Sequence, residues 1–240
     1  MTGEIVREVS HIPVINVWRL SDGSTFLINN ASSEPAGGSM FWVASDQAPA
    51  TPEMREQLRG PGGWYAEPSP AGPFVAITSG SFEVTSPDRS VRWHTFNGPA
   101  SSFGTAPAWS WDLSRLFALV ENYGEGPRHL AIAEIDNDWF HTIELPWWNP
   151  NTYEGGLAMT TDGTLVSFEV SLDDYSGRGV VFNPDGTFVR EFPIEDGANL
   201  GGIDPTGNFL IYVDGNGVVR WRDLKSNTGV LGEGFFTASW

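Results

Sequence analysis

An all-β fold is predicted by three features of the 240-residue sequence: many short apolar runs, frequent turn residues between them, and almost no helical periodicity. Runs such as "MFWVAS", "LFALVEN" and "NFLIYV" are separated by Gly, Pro, Asn and Asp, which punctuate strands. Only "TPEMREQLRG" (51–60) begins like a helix, because Thr51 suits a cap and Pro52 suits a first turn. So many short strands are typical of a sandwich, a barrel or a propeller.

Composition predicts one globular domain spanning residues 1–240. The chain has a mass of 26.2 kDa with 40% hydrophobic and 13% aromatic residues, which is enough apolar surface to form a core. No apolar run reaches the roughly 18 residues that a membrane-spanning helix needs, and the N-terminus lacks a signal-peptide pattern. We therefore expect a cytoplasmic protein or one whose targeting segment has been removed. The absence of cysteine excludes disulfides and thiolate metal sites.

The charge balance excludes a nucleic-acid partner. The formal net charge is −17, with only 13 Lys and Arg residues, whereas binding to a phosphate backbone requires clustered cations. An acidic surface suits a basic peptide, a cation or a neutral ligand, and solubility alone also explains it. We expect a monomer.

An internal repeat indicates which of these all-β folds the chain forms. Residues 3–28, "GEIVREVSHIPVINVWRLSDGSTFLI", align without a gap on residues 186–211, an offset of 183. Between these copies a turn-then-strand unit recurs five times at steps of about 43 to 50 residues, the length of a four-stranded propeller blade. The sequence thus predicts a β-propeller of about five to six four-stranded blades.

Turn chemistry places the corners of each blade. Asp-Gly or Thr-Gly pairs, as in "TTDGTLVSFEV" (160–170), supply a positive φ angle between the first and second strands. The apolar run that follows is expected to be buried on both faces between adjacent blades. A second hairpin signal, "SPDRSVRW" at 86 and "NPDGTFVR" at 183, marks the turn between the third and fourth strands. The unit "SWDLS" (110–114) has no glycine at its corner.

The two ends of the chain predict a composite or incomplete closing blade. "GEIVREVS" aligns with an outer fourth strand, and "FFTASW" resembles the innermost strand that "TAPAWSW" (105–111) begins. Together they supply a first and a fourth strand without the middle pair. We expect Met1 to be an artificial or internal start, with further strands and any signal sequence upstream.

The repeated units resemble a known superfamily. "SDGSTFLI", "TDGTLVSF" and "DPTGNFLIYV" are similar to the TolB-like, or WD-like, β-propeller repeat. The resemblance implies a bacterial propeller in the periplasm or outside the cell, or one attached to a hydrolase. It also implies a binding platform, although a fold does not by itself carry a function.

A functional face is predicted at the end of the blades where crossovers between blades meet the loops between second and third strands. Trp147 and Trp148, in the crossover "ELPWWNPNTYEGG" (144–156), can stack on a sugar, a proline-rich peptide or a cation. The structural alternative is that one ring fills the space between the third and fourth blades. The predicted ligand-binding residues are Trp147, Trp148, Tyr153, Trp64, His11, Glu121 and Asp214. Six other tryptophans are expected in strands, packed between blades: Trp42, Trp93, Trp109, Trp111, Trp139 and Trp221.

Adjacent acids raise a possible metal site. Asp173 and Asp174 supply carboxylate oxygens that suit Ca²⁺, but no EF-hand loop follows them. Aspartate is also a common turn former, and that is the alternative. No other cofactor is predicted.

The predicted function is a non-catalytic binding or scaffold module that recognises a peptide, a protein or a glycan. The sequence contains no nucleophile elbow, zinc-protease motif, phosphate-binding loop or dinucleotide fingerprint. The alternative is a glycoside hydrolase-like propeller, in which two carboxylates in a central funnel act as acid and as base or nucleophile. Glu121, Glu169, Asp173 and Asp214 are the acids considered for that role.

Overall fold

The structure is a computed structural model. It describes residues 16–19, 25–29, 39–43, 65–69, 75–78, 81–85, 92–97, 107–120, 128–137, 139–149, 151–174, 176–194, 199–204, 207–214 and 216–233. These residues form nineteen β-strands and no helix. The strands are β1 (Asn16–Arg19), β2 (Thr25–Asn29), β3 (Ser39–Val43), β4 (Tyr65–Pro68), β5 (Val75–Thr78), β6 (Ser81–Thr85), β7 (Arg92–Asn97), β8 (Ala108–Trp109), β9 (Arg115–Val120), β10 (Arg128–Glu134), β11 (Trp139–Leu145), β12 (Thr152–Met159), β13 (Leu165–Ser171), β14 (Gly177–Phe182), β15 (Phe188–Ile194), β16 (Asn199–Ile203), β17 (Phe209–Val213), β18 (Val218–Asp223) and β19 (Thr228–Glu233).

The described strands assemble into five antiparallel sheets, so the all-β prediction is confirmed. Sheet 1 contains β1 to β3, sheet 2 contains β4 to β7, sheet 3 contains β8 to β11, sheet 4 contains β12 to β15, and sheet 5 contains β16 to β19. In each sheet the strands lie side by side in chain order. β1 begins at Asn16 and β16 at Asn199, which is the offset of 183 at which the sequence repeats.

Sheets 2 to 5 pack face to face, each with the next, through shared apolar cores. On β9, Leu116 and Ala118 face Ala76 of sheet 2, while Phe117 and Leu119 on the opposite face pack in the core shared with sheet 4. Sheets 4 and 5 share a third core. Its members are Val166, Phe168, Val170, Val181, Phe192, Ile194, Leu210 and Tyr212. The second strands of sheets 3 and 4, β9 and β13, are therefore buried on both faces, as predicted from their continuous apolar runs.

The first strands of three sheets are neighbours. β12, the first strand of sheet 4, lies against β8 of sheet 3 and against β16 of sheet 5. The fourth strands β11, β15 and β19 lie at the opposite edges of their sheets. The sheets thus converge on their first strands and expose much of their fourth strands.

The predicted positive-φ turns are confirmed at three glycines. Gly163 between β12 and β13, Gly186 between β14 and β15, and Gly207 between β16 and β17 have φ angles of 85°, 84° and 68°. Gly207 is also required by space, because a Cβ there would lie 2.7 Å from the carbonyl oxygen of Met159. A side chain at residue 207 would therefore collide with the backbone at the end of β12.

Leu113 occupies the corner at which the sequence has no glycine. Its φ is 61°, in the left-handed region that is costly for a residue with a Cβ. Hydrogen bonds hold this turn, since Asp112 Oδ1 accepts from the Ser110 hydroxyl at 2.7 Å and from the Ser114 hydroxyl at 2.8 Å. The Leu113 side chain also packs against the core between sheets 2 and 3. Hydrogen bonds and the packing of the Leu113 side chain therefore stabilise the turn despite its unfavourable backbone angle.

Three expectations lie outside the described residues: the helix at 51–60 and the terminal strands "GEIVREVS" and "FFTASW". The expectation that Trp111 lies in a strand and packs between sheets is wrong. Trp111 lies in the turn between β8 and β9, and 43% of it is exposed. Trp139 lies in β11 as expected but is 51% exposed, because it begins an edge strand. Within the described ranges, no helix is long and apolar enough to cross a membrane.

Two substitutions at residue 113 separate the cost of its backbone angle from its packing. Leu113→Gly and Leu113→Ala both remove the packed side chain, but only alanine retains a Cβ at positive φ. We expect the glycine variant to be more stable by about 1 kcal/mol, the reverse of the order at ordinary positions. Urea unfolding of both variants measures the difference. Gly163→Ala is the matched control, because nothing lies within 4 Å of its added Cβ, and it should lose about 1 kcal/mol. An alanine variant at 113 at least as stable as the glycine variant would contradict the assignment.

Candidate functional site

The crossover from sheet 3 to sheet 4 carries Trp147 and Trp148 into a shared aromatic cluster. Trp148 is only 4% exposed and belongs to the core between the two sheets. Its indole N–H donates to the Thr152 hydroxyl at 3.2 Å, and that hydroxyl donates to the backbone oxygen of Asn149 at 2.8 Å. Trp148 therefore anchors the crossover to the first residue of β12.

Trp147 connects the same crossover to the hairpin between β14 and β15 of sheet 4. Its indole N–H donates to the backbone oxygen of Gly186 at 2.8 Å, in the turn between β14 and β15. Its ring centroid lies 5.2 Å from that of Phe182 and 5.5 Å from that of Phe188, within the range of favourable aromatic pairs. Both tryptophans therefore join sheet 3 to sheet 4, the role raised as the structural alternative for one of them.

The other predicted binding residues are placed only in part. Tyr153 lies in β12, and Asp214 follows β17. Trp64, His11 and Glu121 lie outside the described residues. A ligand-binding role for these positions stays a prediction.

Removing either indole tests this junction. Trp148→Ala should lower the free energy of unfolding by about 3 to 5 kcal/mol, because it empties a buried aromatic site. Trp147→Phe keeps most of the ring contact and loses the bond to Gly186, so it should cost about 1 kcal/mol. Trp139→Ala is the control, since its ring is half exposed and its loss should change stability by less than about 1 kcal/mol. Equal losses in Trp148→Ala and Trp139→Ala, measured by chemical denaturation, would refute the assigned role.

A charged cluster is buried at the crossover end of sheets 3 and 4. The Glu169 side chain is fully buried, and its Oε2 lies 2.6 Å from Nε of Arg178, the residue opposite it on β14. Arg178 Nη1 also lies 2.6 Å from Oε2 of Glu191, which is largely exposed. From sheet 3, the Arg128 guanidinium donates to the backbone oxygen of Thr152 at 2.6 Å. Arg178 thus forms ion pairs within sheet 4, whereas Arg128 connects sheet 3 to sheet 4.

Burial controls the protonation of Glu169. Desolvation raises the pKa of this carboxyl above its usual value, although the hydrogen bond from Arg178 and the positive charges of Arg178 and Arg128 oppose the shift. Within the described structure, Glu169 Oε1 and Arg178 Nη2 are buried atoms without hydrogen-bond partners. The hydrogen-bonding capacity of the pair is therefore incompletely used, and the ion pair offsets only part of the free energy needed to bury its charges.

Breaking this pair should destabilise the protein in a pH-dependent way. Arg178→Met leaves the Glu169 carboxylate buried without its partner and should cost about 3 to 5 kcal/mol at pH 7. Because the folded-state pKa of Glu169 lies above its ordinary value of 4.5, the cost of the buried charge is fully present above that folded pKa. The penalty should therefore shrink as the pH falls from 8 towards 5. Thermal melts across this range measure it.

Glu191→Gln is the control for the same arginine. It removes the exposed partner and should cost less than about 1 kcal/mol at every pH tested. A penalty in Arg178→Met that is small, or that grows towards pH 5, would contradict the role given to Glu169.

The remaining acids of this end act in turns. Asp214 Oδ2 lies 2.7 Å from Arg220 Nε, and its Oδ1 accepts from the backbone N–H groups of Asn216 and Val218. Hydrogen bonding by Ser176 lowers the pKa of Asp174 to about 2. Among the described residues no group of three or more His, Cys, Asp or Glu side chains is placed to hold a metal. The Ca²⁺ role considered for Asp173 and Asp174 stays a prediction.

Two loops form a continuous surface at the crossover end. The backbone N–H of Leu172 donates to the backbone oxygen of Asn151 at 2.9 Å, and the Asn151 amide donates to Asp173 Oδ1 at 2.5 Å. Leu172 is 50% exposed, and Asp173 and Asp174 are exposed beside it. An apolar side chain is thus presented among acids by hydrogen-bonded loops.

Comparison with known proteins supports the fold and no more. No protein-family model matches the chain, and no curated protein sequence matches it. The similarity to TolB-like repeats therefore stays a prediction. In structure the chain resembles the Kuenenia stuttgartiensis hydrazine synthase, a β-propeller-containing protein, with a TM-score of 0.59 and 12% identity over 97% of this chain and 69% of that chain. At that identity the likeness concerns the arrangement of strands and does not carry the activity.

Sequence reasoning missed the partners of the crossover-end acids. The pairing of Arg178 with Glu169 depends on the register between β13 and β14, which the loop between them does not reveal in sequence. The Asn151 amide reaches Asp173 from a different connection, the one between β11 and β12. A signal existed for Arg178, because its position two residues into the next strand suits a cross-strand ion pair with an acid near the end of β13.

Proposed function

We propose that the chain forms a β-propeller of about five to six four-stranded blades with a composite or incomplete closing blade. We propose further that it acts as a non-catalytic binding or scaffold module for a peptide, a protein or a glycan. Sheets that pack in chain order with adjacent first strands, and the likeness to hydrazine synthase, support the propeller. The repeat resemblance favours a periplasmic or extracellular location.

The observation that carries the binding role is the loop surface around Leu172. A half-exposed leucine is held between hydrogen-bonded loops, so little conformational entropy is lost when a ligand covers it. Exposed carboxylates around it provide polar contacts and favour ligands without negative charge. This surface lies at the end of the sheets that the sequence predicts to be functional.

The use of the described acids favours binding over hydrolysis. Glu169 is paired with Arg178, Asp214 with Arg220, and Asp173 with the Asn151 amide. A glycosidase needs one carboxyl as an acid and another as base or nucleophile, both reaching the substrate. The internal hydrogen bonds of these three acids instead match structural roles.

One observation favours the glycoside hydrolase-like alternative. Glu154 of β12 is directly opposite Glu169 of β13 in the ladder, and burial raises the pKa of Glu169 as a general acid would require. Such a propeller would use one carboxyl to protonate the leaving group and the other to attack or to activate water. The bond between Glu169 and Arg178 opposes this role, because it stabilises the charged form.

A ligand screen with two matched variants tests the proposed function. The full chain is applied to a glycan array and a peptide library, and hits are quantified for the wild type, Leu172→Ser and Leu231→Ser. Leu172 and Leu231 are 50% and 52% exposed, but Leu231 lies on the outer strand β19. We expect Leu172→Ser to weaken binding about three- to tenfold and Leu231→Ser to leave it unchanged, since a central apolar contact contributes about 1 kcal/mol.

Product analysis of the same glycans distinguishes the alternative. If the wild type releases sugar and a folded Glu169→Gln variant does not, the chain is a hydrolase and the proposal of a non-catalytic binding module is wrong. Hits that bind both leucine variants equally, or no hits at all, would refute the loop surface.

A further inference from the structure

A second exposed surface lies at the opposite end of the sheets, where first and second strands are joined. We name it the first-turn arc: residues 110–114 of sheet 3, residues 160–164 of sheet 4, and residues 204 and 207–209 of sheet 5. None of the binding residues predicted from the sequence belongs to it.

Direct contacts make the arc continuous from sheet to sheet. The Trp111 indole N–H donates to the backbone oxygen of Thr160 at 2.7 Å. The Asn208 amide lies 3.3 Å from the Thr161 hydroxyl, and Gly207 sits against the backbone of Met159 and Thr160. The three turns are therefore positioned by one another and form one preorganised surface.

Aromatic rings are exposed on both flanks of the arc. Trp111 is 43% exposed although its indole nitrogen is hydrogen bonded, so its position is fixed while much of it faces solvent. At the other flank Phe209 is 39% exposed and packs edge-on against Trp221, with ring centroids 5.9 Å apart. Fixed aromatic rings bind cations and aliphatic stems well because they lose little freedom on binding.

The arc also carries two exposed carboxylates, one in the turn of sheet 3 and one in the turn of sheet 4. Asp112 and Asp162 are each flanked by hydroxyl residues, and every hydrogen bond that they make in the described structure uses Oδ1. Hydrogen bonds from the neighbouring hydroxyls, Ser110 first, lower the pKa of Asp112 to about 2, and those from Thr160 and Thr164 lower the pKa of Asp162. Both carboxylates remain charged wherever the protein is folded near neutral pH.

The two carboxylates and the net charge of the chain favour a cationic occupant, although the turn that carries Lys225 adjoins the arc through Leu224, whose backbone N–H donates to the Asn208 backbone oxygen. Arg115 follows the first turn, but its guanidinium lies over the Phe117 ring, 5.7 Å from the centroid. The chain as a whole carries a formal charge of −17. Long-range attraction and local carboxylates therefore act in the same direction on a positively charged ligand.

We propose that the first-turn arc binds an extended, Lys- or Arg-rich segment of a partner protein. Cationic side chains would pair with Asp112 and Asp162 while their stems or head groups cover Trp111 and Phe209. This surface is separate from the one around Leu172, so the proposal goes beyond the binding role given to the crossover end.

Fluorescence anisotropy with a labelled peptide of five Lys-Ser repeats tests the proposal, with five Glu-Ser repeats as the negative probe. The arc variant is Asp112→Asn combined with Asp162→Asn, because asparagine retains the Oδ1 acceptor of the turn and removes the charge. The matched control is Asp136→Asn combined with Asp185→Asn, which removes the same charge from exposed turns between third and fourth strands, outside both proposed surfaces. At about 0.15 M salt we expect the arc variant to weaken binding of the lysine peptide roughly five- to tenfold and the control less than twofold. A third variant, Trp111→Leu, should weaken binding two- to fivefold and serves if the arc variant does not fold.

Three results would overturn the proposal. Equal weakening in the arc variant and the control would mean that the peptide follows net charge alone. Loss in the control only would locate basic ligands at the turns between third and fourth strands and refute the arc. Failure of the lysine peptide to bind the wild type would exclude the surface, whatever the glycan and peptide screen finds at Leu172.

Discussion

Burial of both faces of each inner strand is the constraint on which the rest of the structure depends. A four-stranded sheet with two apolar faces is stable only if a neighbour covers each face. β9 meets this requirement with Leu116 and Ala118 on one face and Phe117 and Leu119 on the other. Sheets 3 and 4 therefore derive part of their stability from the sheets on either side of them.

The polar contacts follow from this packing. Connections between sheets have to satisfy their backbone groups where two cores meet, and side chains with a flat apolar body and one donor suit that position. Trp147 and Trp148 each donate one hydrogen bond across the junction while filling space, and Arg128 reaches the backbone of the next sheet. The tryptophan pair that the sequence predicts to bind a ligand also joins two sheets in the described structure, and its ligand-binding role stays a prediction.

The sequence predicted the parts of the fold that depend on short-range chemistry. The positive-φ glycines, the buried second strands and the offset that relates β1 to β16 follow from turn residues, apolar runs and self-alignment. It could not predict which side chains meet between sheets. Burial of Trp148, exposure of Trp111 and the pairing of Glu169 with Arg178 depend on how neighbouring sheets are placed against each other. Leu113 shows a further limit, since its backbone angle is set by the repeated turn geometry and not by its own preference.

The aspartates of the turns have an effect beyond the turns themselves. Each is needed locally as an acceptor for hydroxyl and backbone N–H groups, and together they contribute much of the large negative charge. The outer strands β15 and β19 meanwhile expose Val189, Val230 and Leu231 along edges that could pair with another chain. Two copies approaching edge to edge would repel each other before these strands could join. We therefore expect the residues that close the turns also to oppose self-association in concentrated solution.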